Sequence, residues 1–136
     1  MRPSDDIVTP ESFLRYLRTT LKLPPSEYRL PRRGVIVFGN EDFETFRRLI
    51  HGRRASWSQW QCVGRSGRRR VFLGRCQIGA PAAGIIVEEM GVRGVRDFIT
   101  FGACGSLRKD LSIGSVVVPT FAYPDEGTSR HYGAPK

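Results

Sequence analysis

Residues 78–106 read IGAPAAGIIVEEMGVRGVRDFITFGACGS, and this stretch decides the expected fold class. Four apolar side chains recur at helical spacing around and after Pro81, a residue that suits the first turn of a helix. They are Ala82, Ile85, Ile86 and Met90. Residues 98–101 then predict a short strand, which ends in the glycine turn at residues 102–105. A helix that passes at once into a strand is typical of an α/β sheet with helices on both faces.

The sequence before this stretch continues the alternation of helices and strands. Residues 10–22, PESFLRYLRTTLK, predict a helix capped by Thr9. The apolar run GVIVFG at 34–39 predicts a buried strand that ends in glycine. Residues 41–50 predict a second helix, with Asn40 as its N-cap and two acidic residues in its first turn.

Three further segments have the composition of strands. Residues 57–63 and 70–76 predict two strands joined by a turn rich in glycine and arginine. Residues 113–119, which include three consecutive valines, predict another strand. The chain has no internal repeat and no low-complexity tract, so these elements are expected to form an α/β architecture.

The composition excludes several classes of protein. A chain of 136 residues with 40% hydrophobic and 26% charged residues is long enough to bury the core of one soluble domain. No apolar run approaches the roughly 20 residues that span a bilayer. The acidic, polar N-terminus lacks the pattern of a signal peptide, so we expect a cytoplasmic protein with no membrane association. Cys62, Cys76 and Cys104 have no metal-ligand spacing, and their odd number argues against a disulfide framework.

The net charge of +9 arises from 22 basic and 13 acidic residues, and all but three of the basic residues are arginine. Such a charge favours an anionic partner, such as phosphate, a nucleotide or a nucleic acid. The alternative is a compositional bias without any ligand, because the arginines are spread along the chain. Four of them, in the turn at residues 65–70, suit a solvent-exposed hairpin better than a nucleic-acid site. We therefore do not expect nucleic acid as a partner.

The order of the segments from residue 34 to residue 135 resembles the nucleoside phosphorylase family. This family holds the uridine phosphorylases, the hexameric purine nucleoside phosphorylases and the methylthioadenosine and adenosylhomocysteine nucleosidases. The most specific part is residues 78–119, where a glycine–proline turn opens a helix ending in EEM and a strand follows with FGACGS. The tail GTSRHYGAP at 127–135 is similar to a uridine phosphorylase stretch that ends in an aromatic residue before Ala-Pro.

The resemblance implies a fold and a reaction. The fold is a three-layer α/β/α domain with a mixed central sheet, of which residues 34–136 would form the N-terminal half and residues 1–33 a preceding helix and connector. The reaction is cleavage of the N-glycosidic bond of a purine or pyrimidine nucleoside. Phosphate attacks the anomeric carbon in the phosphorylases, and water attacks it in the nucleosidases. The transition state requires stabilisation of an oxocarbenium-like sugar and of the departing base.

The resemblance also assigns candidate site residues. Phosphate binding falls on Gly39, Gly102 and Ala103. The nucleoside-binding positions are Ala103, Cys104, Gly105 and His131. His131 has an alternative interpretation as a solvated loop histidine. No catalytic residue can be assigned within the chain, and no cofactor is expected beyond inorganic phosphate as a co-substrate.

Three positions depart from the family pattern for binding phosphate. The family has an arginine two residues before Gly102 and a Ser or Thr directly after it, where this chain has Thr100 and Ala103. A further arginine, four residues after Gly39, is replaced by Phe43. Threonine cannot supply the bidentate contact of a guanidinium. The arginines considered as substitutes are Arg47, Arg75 and Arg108.

The chain is also about half as long as the members of this family. The segments that stack the purine, bind the ribose and supply the catalytic Asp lie in the other half of the family's sequence. We therefore expect a phosphorylase site when a C-terminal half completes it, in a homo-oligomer or in association with a chain carrying that half. The alternatives are a hydrolytic nucleosidase, which the missing arginines favour, and a non-catalytic half-domain that binds a nucleoside or a partner.

Overall fold

A computed structural model of the chain describes residues 9–134 and divides the chain into two compact units, Met1–Gly102 and Ala103–Lys136. The first unit holds all five strands. They are β1 (Arg33–Val37), β2 (Arg53–Ala55), β3 (Ser58–Ser66), β4 (Arg69–Arg75) and β5 (Asp97–Phe101). Four helices accompany them, namely α1 (Pro10–Thr19), α2 (Pro25–Tyr28), α3 (Asn40–Leu49) and α4 (Ala80–Val92). The second unit contains the short helix α5 (Thr128–His131).

The five strands form one mixed sheet in the order β2-β3-β4-β1-β5. β4, β1 and β5 run parallel, whereas β3 is antiparallel to both β4 and β2. This arrangement confirms the expected α/β class and the mixed sheet. Parallel pairing requires a crossover connection: β1 is connected to β4 through α3, β2 and β3, and β4 is connected to β5 through α4.

The two long crossover helices cover opposite faces of the sheet. Phe43 of α3 packs with Val37 and Leu73 in one apolar cluster. Met90 of α4 packs with Ile36 and Phe72 in a second cluster. Because successive residues of a strand point to opposite faces, these two clusters lie on either side of the sheet. The first unit therefore has the three-layer arrangement that the sequence predicts.

A buried arginine at the end of α4 forms hydrogen bonds with α2 and β3. Arg93 follows α4 directly and is 3% exposed. Its guanidinium donates to the carbonyl oxygens of Glu27 and Tyr28 and to Oε1 of Gln61, at 2.7–3.3 Å. Burial lowers the pKa of Arg93 to about 10, which still leaves the group charged at neutral pH. These bonds satisfy a charge that would otherwise be costly to bury.

Most of the predicted elements are confirmed, and their ends differ by a few residues. Thr9 caps α1 as predicted, in a reciprocal pair of hydrogen bonds with Ser12. The helix ends at Thr19, since Thr20 is its C-cap and Lys22 has a φ of 50°. The N-cap of α3 is Gly39 and not Asn40, because Gly39 is the last residue with an extended backbone.

One predicted strand is wrong. Residues 113–119 have no strand pairing, although they carry the valines that favour strands. Val116 and Val118 are 88% and 81% exposed, so these side chains are not buried. A strand needs a neighbour for its backbone groups and a face to bury, and this segment has neither in the described part of the second unit. Within residues 9–134, no helix is long and apolar enough to cross a bilayer.

Candidate functional site

The carboxyl ends of three parallel strands lie in one row in the first unit. Val37, the last residue of β1, is in register with Arg75 of β4 and with Phe101 of β5. The chain leaves β1 into α3 on one face and leaves β4 into α4 on the other. Adjacent strands whose connections depart to opposite faces leave a crevice between them, which is where open α/β sheets bind ligands.

The two candidate glycines of this unit lie at this edge. Gly39 and Gly102 follow β1 and β5, so the neighbouring strand ends bring them to the same edge of the sheet. A Cβ on Gly102 would lie 2.9 Å from Cδ2 of Phe38, so glycine permits a close approach of this ring. A Cβ on Gly39 would lie 2.7 Å from Oδ2 of Asp42. Asp42 thus places a carboxylate by the N-terminus of α3, and an anion bound there has to displace it.

Arg75 is the arginine that the structure places at this edge. Its guanidinium carbon lies 4.0 Å from the centroid of the Trp60 ring, a cation–π contact, and its Nε is buried without a hydrogen-bond partner. No carboxylate of residues 9–134 forms an ion pair with it. The guanidinium is therefore held in place by an aromatic ring and keeps donors free for an anion.

The other two arginines considered as substitutes have carboxylate partners. Arg47 binds Glu44 at 3.0 Å, in the last turn of α3 and away from the strand ends. Arg108 belongs to the second unit, where it pairs with Asp110 at 2.5 Å. Sequence order gave no reason to prefer Arg75, whose position at a strand end only the register reveals.

The two family positions that lack arginine differ in their surroundings. Phe43 is fully buried, and its ring meets that of Trp60 edge to face at 5.7 Å between centroids. Phe43 is therefore part of the core on the face of the sheet to which Arg75 belongs. Thr100 is exposed on β5, in register with Ile36. Ile36 lies on the face that packs α4, so Thr100 projects to the opposite face from Arg75.

The remaining candidates belong to the second unit. Ala103, Cys104 and Gly105 lie in an exposed segment without regular structure. Gly105 does not have a positive φ, and no described atom lies within 4 Å of the place of a Cβ. An anion-binding turn predicts either a positive φ at Gly105 or room for a ligand beside it; the positive φ is absent, and the role of the open space stays a prediction. His131 is the exposed last residue of α5.

Glu126 organises the start of α5. Its carboxylate accepts hydrogen bonds from the backbone N–H groups of Thr128 and Ser129, at 2.6 and 2.9 Å. The hydrogen bonds with Ser129 are the main cause that lowers the pKa of Glu126 to about 2. A carboxylate at this position stabilises the turn that carries His131.

The buried cysteines are unsuited to nucleophilic chemistry. Burial raises the pKa of the Cys62 thiol to about 11 and also raises the pKa of Cys76. Cys76 donates its S–H to the carbonyl oxygen of Gln77 at 3.1 Å. Because the thiolate is the reactive form, both groups are inert near neutral pH.

Gly79 also follows β4 at this edge, and it was not among the site residues predicted from the sequence. It is the N-cap of α4, with φ 107° and ψ 148°. This backbone conformation lies outside the region that residues with a Cβ adopt readily. Its position directly before Ala80 and Pro81, at the start of a helix, was the available sequence signal.

Comparison with known proteins agrees with the geometry. The family model described as the Phosphorylase superfamily matches residues 32–136. A uridine phosphorylase of Haemophilus influenzae is 36% identical over 113 residues, which cover 83% of this chain and 41% of that protein. A guanosine phosphorylase of Halorubrum lacusprofundi is 47% identical over 55 residues, which cover 40% of this chain and 23% of that protein.

The chain matches less than half the length of each of these relatives. The division at residues 33 and 34 stays a prediction, although the family match begins close to it. The match itself spans most of the chain, including the parallel strands, both crossover helices and the glycine turn at residues 102–105. By its sequence and its mixed three-layer sheet, this chain belongs to the phosphorylase superfamily.

Proposed function

We propose that the chain takes part in cleavage of the N-glycosidic bond of a nucleoside by inorganic phosphate. In this proposal Arg75, Gly39 and Gly102 form the phosphate side of the site at the carboxyl edge of the sheet. The observation that carries it is the guanidinium of Arg75, which lies at a strand end with a buried, unpartnered Nε and without an ion pair to any carboxylate of residues 9–134. The names of the relatives, uridine phosphorylase and guanosine phosphorylase, support the reaction class.

The chemistry requires an oriented phosphate below the sugar. A phosphate oxygen attacks the anomeric carbon as the bond to the base breaks, and the sugar passes through a state with oxocarbenium character. A guanidinium binds two phosphate oxygens at once, which both orients the nucleophile and compensates its charge. The Trp60 ring restricts Arg75, so less side-chain entropy is lost when phosphate binds.

The family match also proposes ligand-binding residues in the second unit. Ala103 would also contact phosphate through its backbone, and Cys104, Gly105 and His131 would contact the nucleoside. This assignment rests on their match to the family's glycine turn and aromatic tail. Small residues at 103–105 leave the backbone N–H groups accessible, since the segment is exposed.

The proposal includes a partner chain, either a second copy or a polypeptide that carries the remaining sequence of the relatives. Within residues 9–134, β5 pairs with β1 alone in the sheet. Ile99 of β5 is 67% exposed and Phe101 is 45% exposed. An open edge with apolar side chains recruits further protein. Sedimentation velocity at micromolar concentration tests this, and a stable monomer that binds no such polypeptide contradicts it.

Phosphate binding tests the role of Arg75. Calorimetric titration of the full chain with inorganic phosphate compares Arg75→Gln with Arg48→Gln. Arg48 is an exposed arginine on α3 whose side chain donates to the carbonyl oxygen of Glu44, so its substitution changes the net charge equally. We expect Arg75→Gln to weaken phosphate binding about tenfold or more and Arg48→Gln to have less than about a twofold effect. Equal losses in both variants refute the assignment.

The product of nucleoside cleavage separates phosphorolysis from hydrolysis. Phosphorolysis of uridine or guanosine releases ribose 1-phosphate and depends on phosphate, whereas hydrolysis releases free ribose without it. Thr100 in place of the family's arginine is the observation that favours hydrolysis. If the product is free ribose, phosphorolysis is refuted and the activity is that of a nucleosidase.

A further inference from the structure

A second concave site lies at the opposite end of β4. A cavity of about 590 Å³ is bounded by α2, β2, β3 and the beginning of β4. Phe72, Val63 and Leu30 contribute apolar surface, and Phe72 and Val63 belong to the core on the α4 face of the sheet. The volume is typical of sites for small molecules. The cavity lies wholly within the first unit.

The lining of this cavity is strongly basic. Arg53, Arg65 and Arg70 line it with exposed side chains, and the buried Arg93 lies behind them. Arg54 also lines it but is paired with Glu44. Clustered guanidinium groups in a concave surface concentrate the positive potential and attract anions.

For Arg53, Arg65 and Arg70, acidic groups offset only part of this charge, through an electrostatic interaction of Glu27 with Arg53. Among the described residues that line the cavity, Glu27 is the one acid. Its carboxylate is already engaged, because it accepts hydrogen bonds from the backbone N–H of Ser56 at 2.9 Å and from its hydroxyl at 2.6 Å. These bonds are the main reason that the pKa of Glu27 is lowered. No carboxylate of residues 9–134 forms an ion pair with Arg53, Arg65 or Arg70.

The sheet register places two of these arginines against each other. Arg65 of β3 is directly opposite Arg70 of β4. Like charges at opposed positions of a strand pair are destabilising, so an anion between them relieves a repulsion that the protein alone leaves in place. Two residues along β3 from Arg65, or about 7 Å, Val63 is paired with Arg53 of β2. A single phosphate can bind between Arg65 and Arg70, whereas linked phosphates can contact this pair and Arg53 together.

We infer that this cavity binds a small ligand with two or more linked phosphates, in the form of inorganic pyrophosphate or a nucleoside diphosphate. The site is separate from the proposed phosphorylase site. Arg75 lies five residues beyond Arg70 on β4, about 17 Å away by the rise of a strand. The odd number of steps also places the two side chains on opposite faces of the sheet.

Calorimetric titration of the full chain with inorganic pyrophosphate tests the inference. The cavity variant is Arg65→Gln with Arg70→Gln. The matched control is Arg68→Gln with Arg69→Gln, which removes two exposed arginines from the same hairpin outside the cavity lining. We expect one pyrophosphate per chain, at least about a tenfold loss of affinity in the cavity variant and less than about twofold in the control.

Folding is monitored by circular dichroism, and Arg53→Gln provides a second variant on another strand. We expect it to weaken pyrophosphate binding while the melting temperature is unchanged. A nucleoside diphosphate is titrated alongside: affinity equal to that of pyrophosphate assigns recognition to the phosphates, and tighter binding adds a contribution from the nucleoside. Equal losses in the cavity and control variants overturn the inference. So does binding of a single-stranded oligonucleotide by a chain that does not bind pyrophosphate.

Discussion

Restoring the family's arginine at Phe43 is expected to unfold the protein. The Phe43 ring is fully buried, packs with Val37 and Leu73, and meets Trp60 at 5.7 Å. Loss of this packing costs about 3–5 kcal/mol, as for other large-to-small changes at a buried Phe. The new guanidinium would also be buried without a counter-ion, beside the Trp60 ring that Arg75 already contacts, which adds several kcal/mol. The sum reaches the total stability of about 5–15 kcal/mol that is usual for a single domain.

Urea denaturation followed by circular dichroism measures this effect. Phe43→Arg should show no cooperative transition, or a midpoint lowered by more than about 1 M. The control Phe43→Leu keeps an apolar side chain and should cost only about 1–2 kcal/mol. A cooperative transition of Phe43→Arg within about 0.5 M of the wild-type midpoint would show that this position is not part of a tightly packed core.

Three further predictions concern other parts of the chain. Thr100→Arg, at an exposed position that projects to the opposite face of the sheet from Arg75, should leave the melting temperature unchanged and change the affinity for inorganic phosphate by less than about twofold in calorimetry; phosphate binding tightened about fivefold or more would contradict the assignment of phosphate to Arg75. Gly34→Ala should destabilise the first unit by about 1–3 kcal/mol in urea denaturation, because its Cβ would lie 2.6 Å from Cε of the buried Met90. Since the pKa of Glu126 is lowered from 4.5 to about 2, its stabilisation of α5 is present above pH 4.5 and lost as the pH falls towards 2. The protection factor of the Ser129 amide, measured by NMR relative to the intrinsic exchange rate at each pH, should fall over that range, and Glu126→Gln should abolish this fall.

The sequence alone determined the three long helices and four of the five described strands of the first unit, whereas α2 and β2 were not predicted. Apolar spacing and capping residues are local signals, and the structure confirms the helices predicted at residues 10–22, at 41–50 and from Pro81 onwards, with small changes at their ends. The strand of continuous apolar character at residues 34–39 is correctly expected to be buried, and β1 has a strand on each side of it in the sheet. The sequence also contains the family's glycine turn at residues 102–105, and it has Phe43 and Thr100 where the family has arginine.

The tertiary structure decided which side chains share a surface. Residues 113–119 have the composition of a strand, but pairing depends on a neighbour that local sequence does not specify. Arg75 is one arginine among many in the sequence, and only the strand register and the Trp60 ring identify it as the free guanidinium at the carboxyl edge. The opposition of Arg65 and Arg70 likewise follows from the pairing of β3 with β4. Charge and composition are properties of the chain, whereas a binding site depends on distances between residues far apart in sequence, and these are established only when the sheet forms.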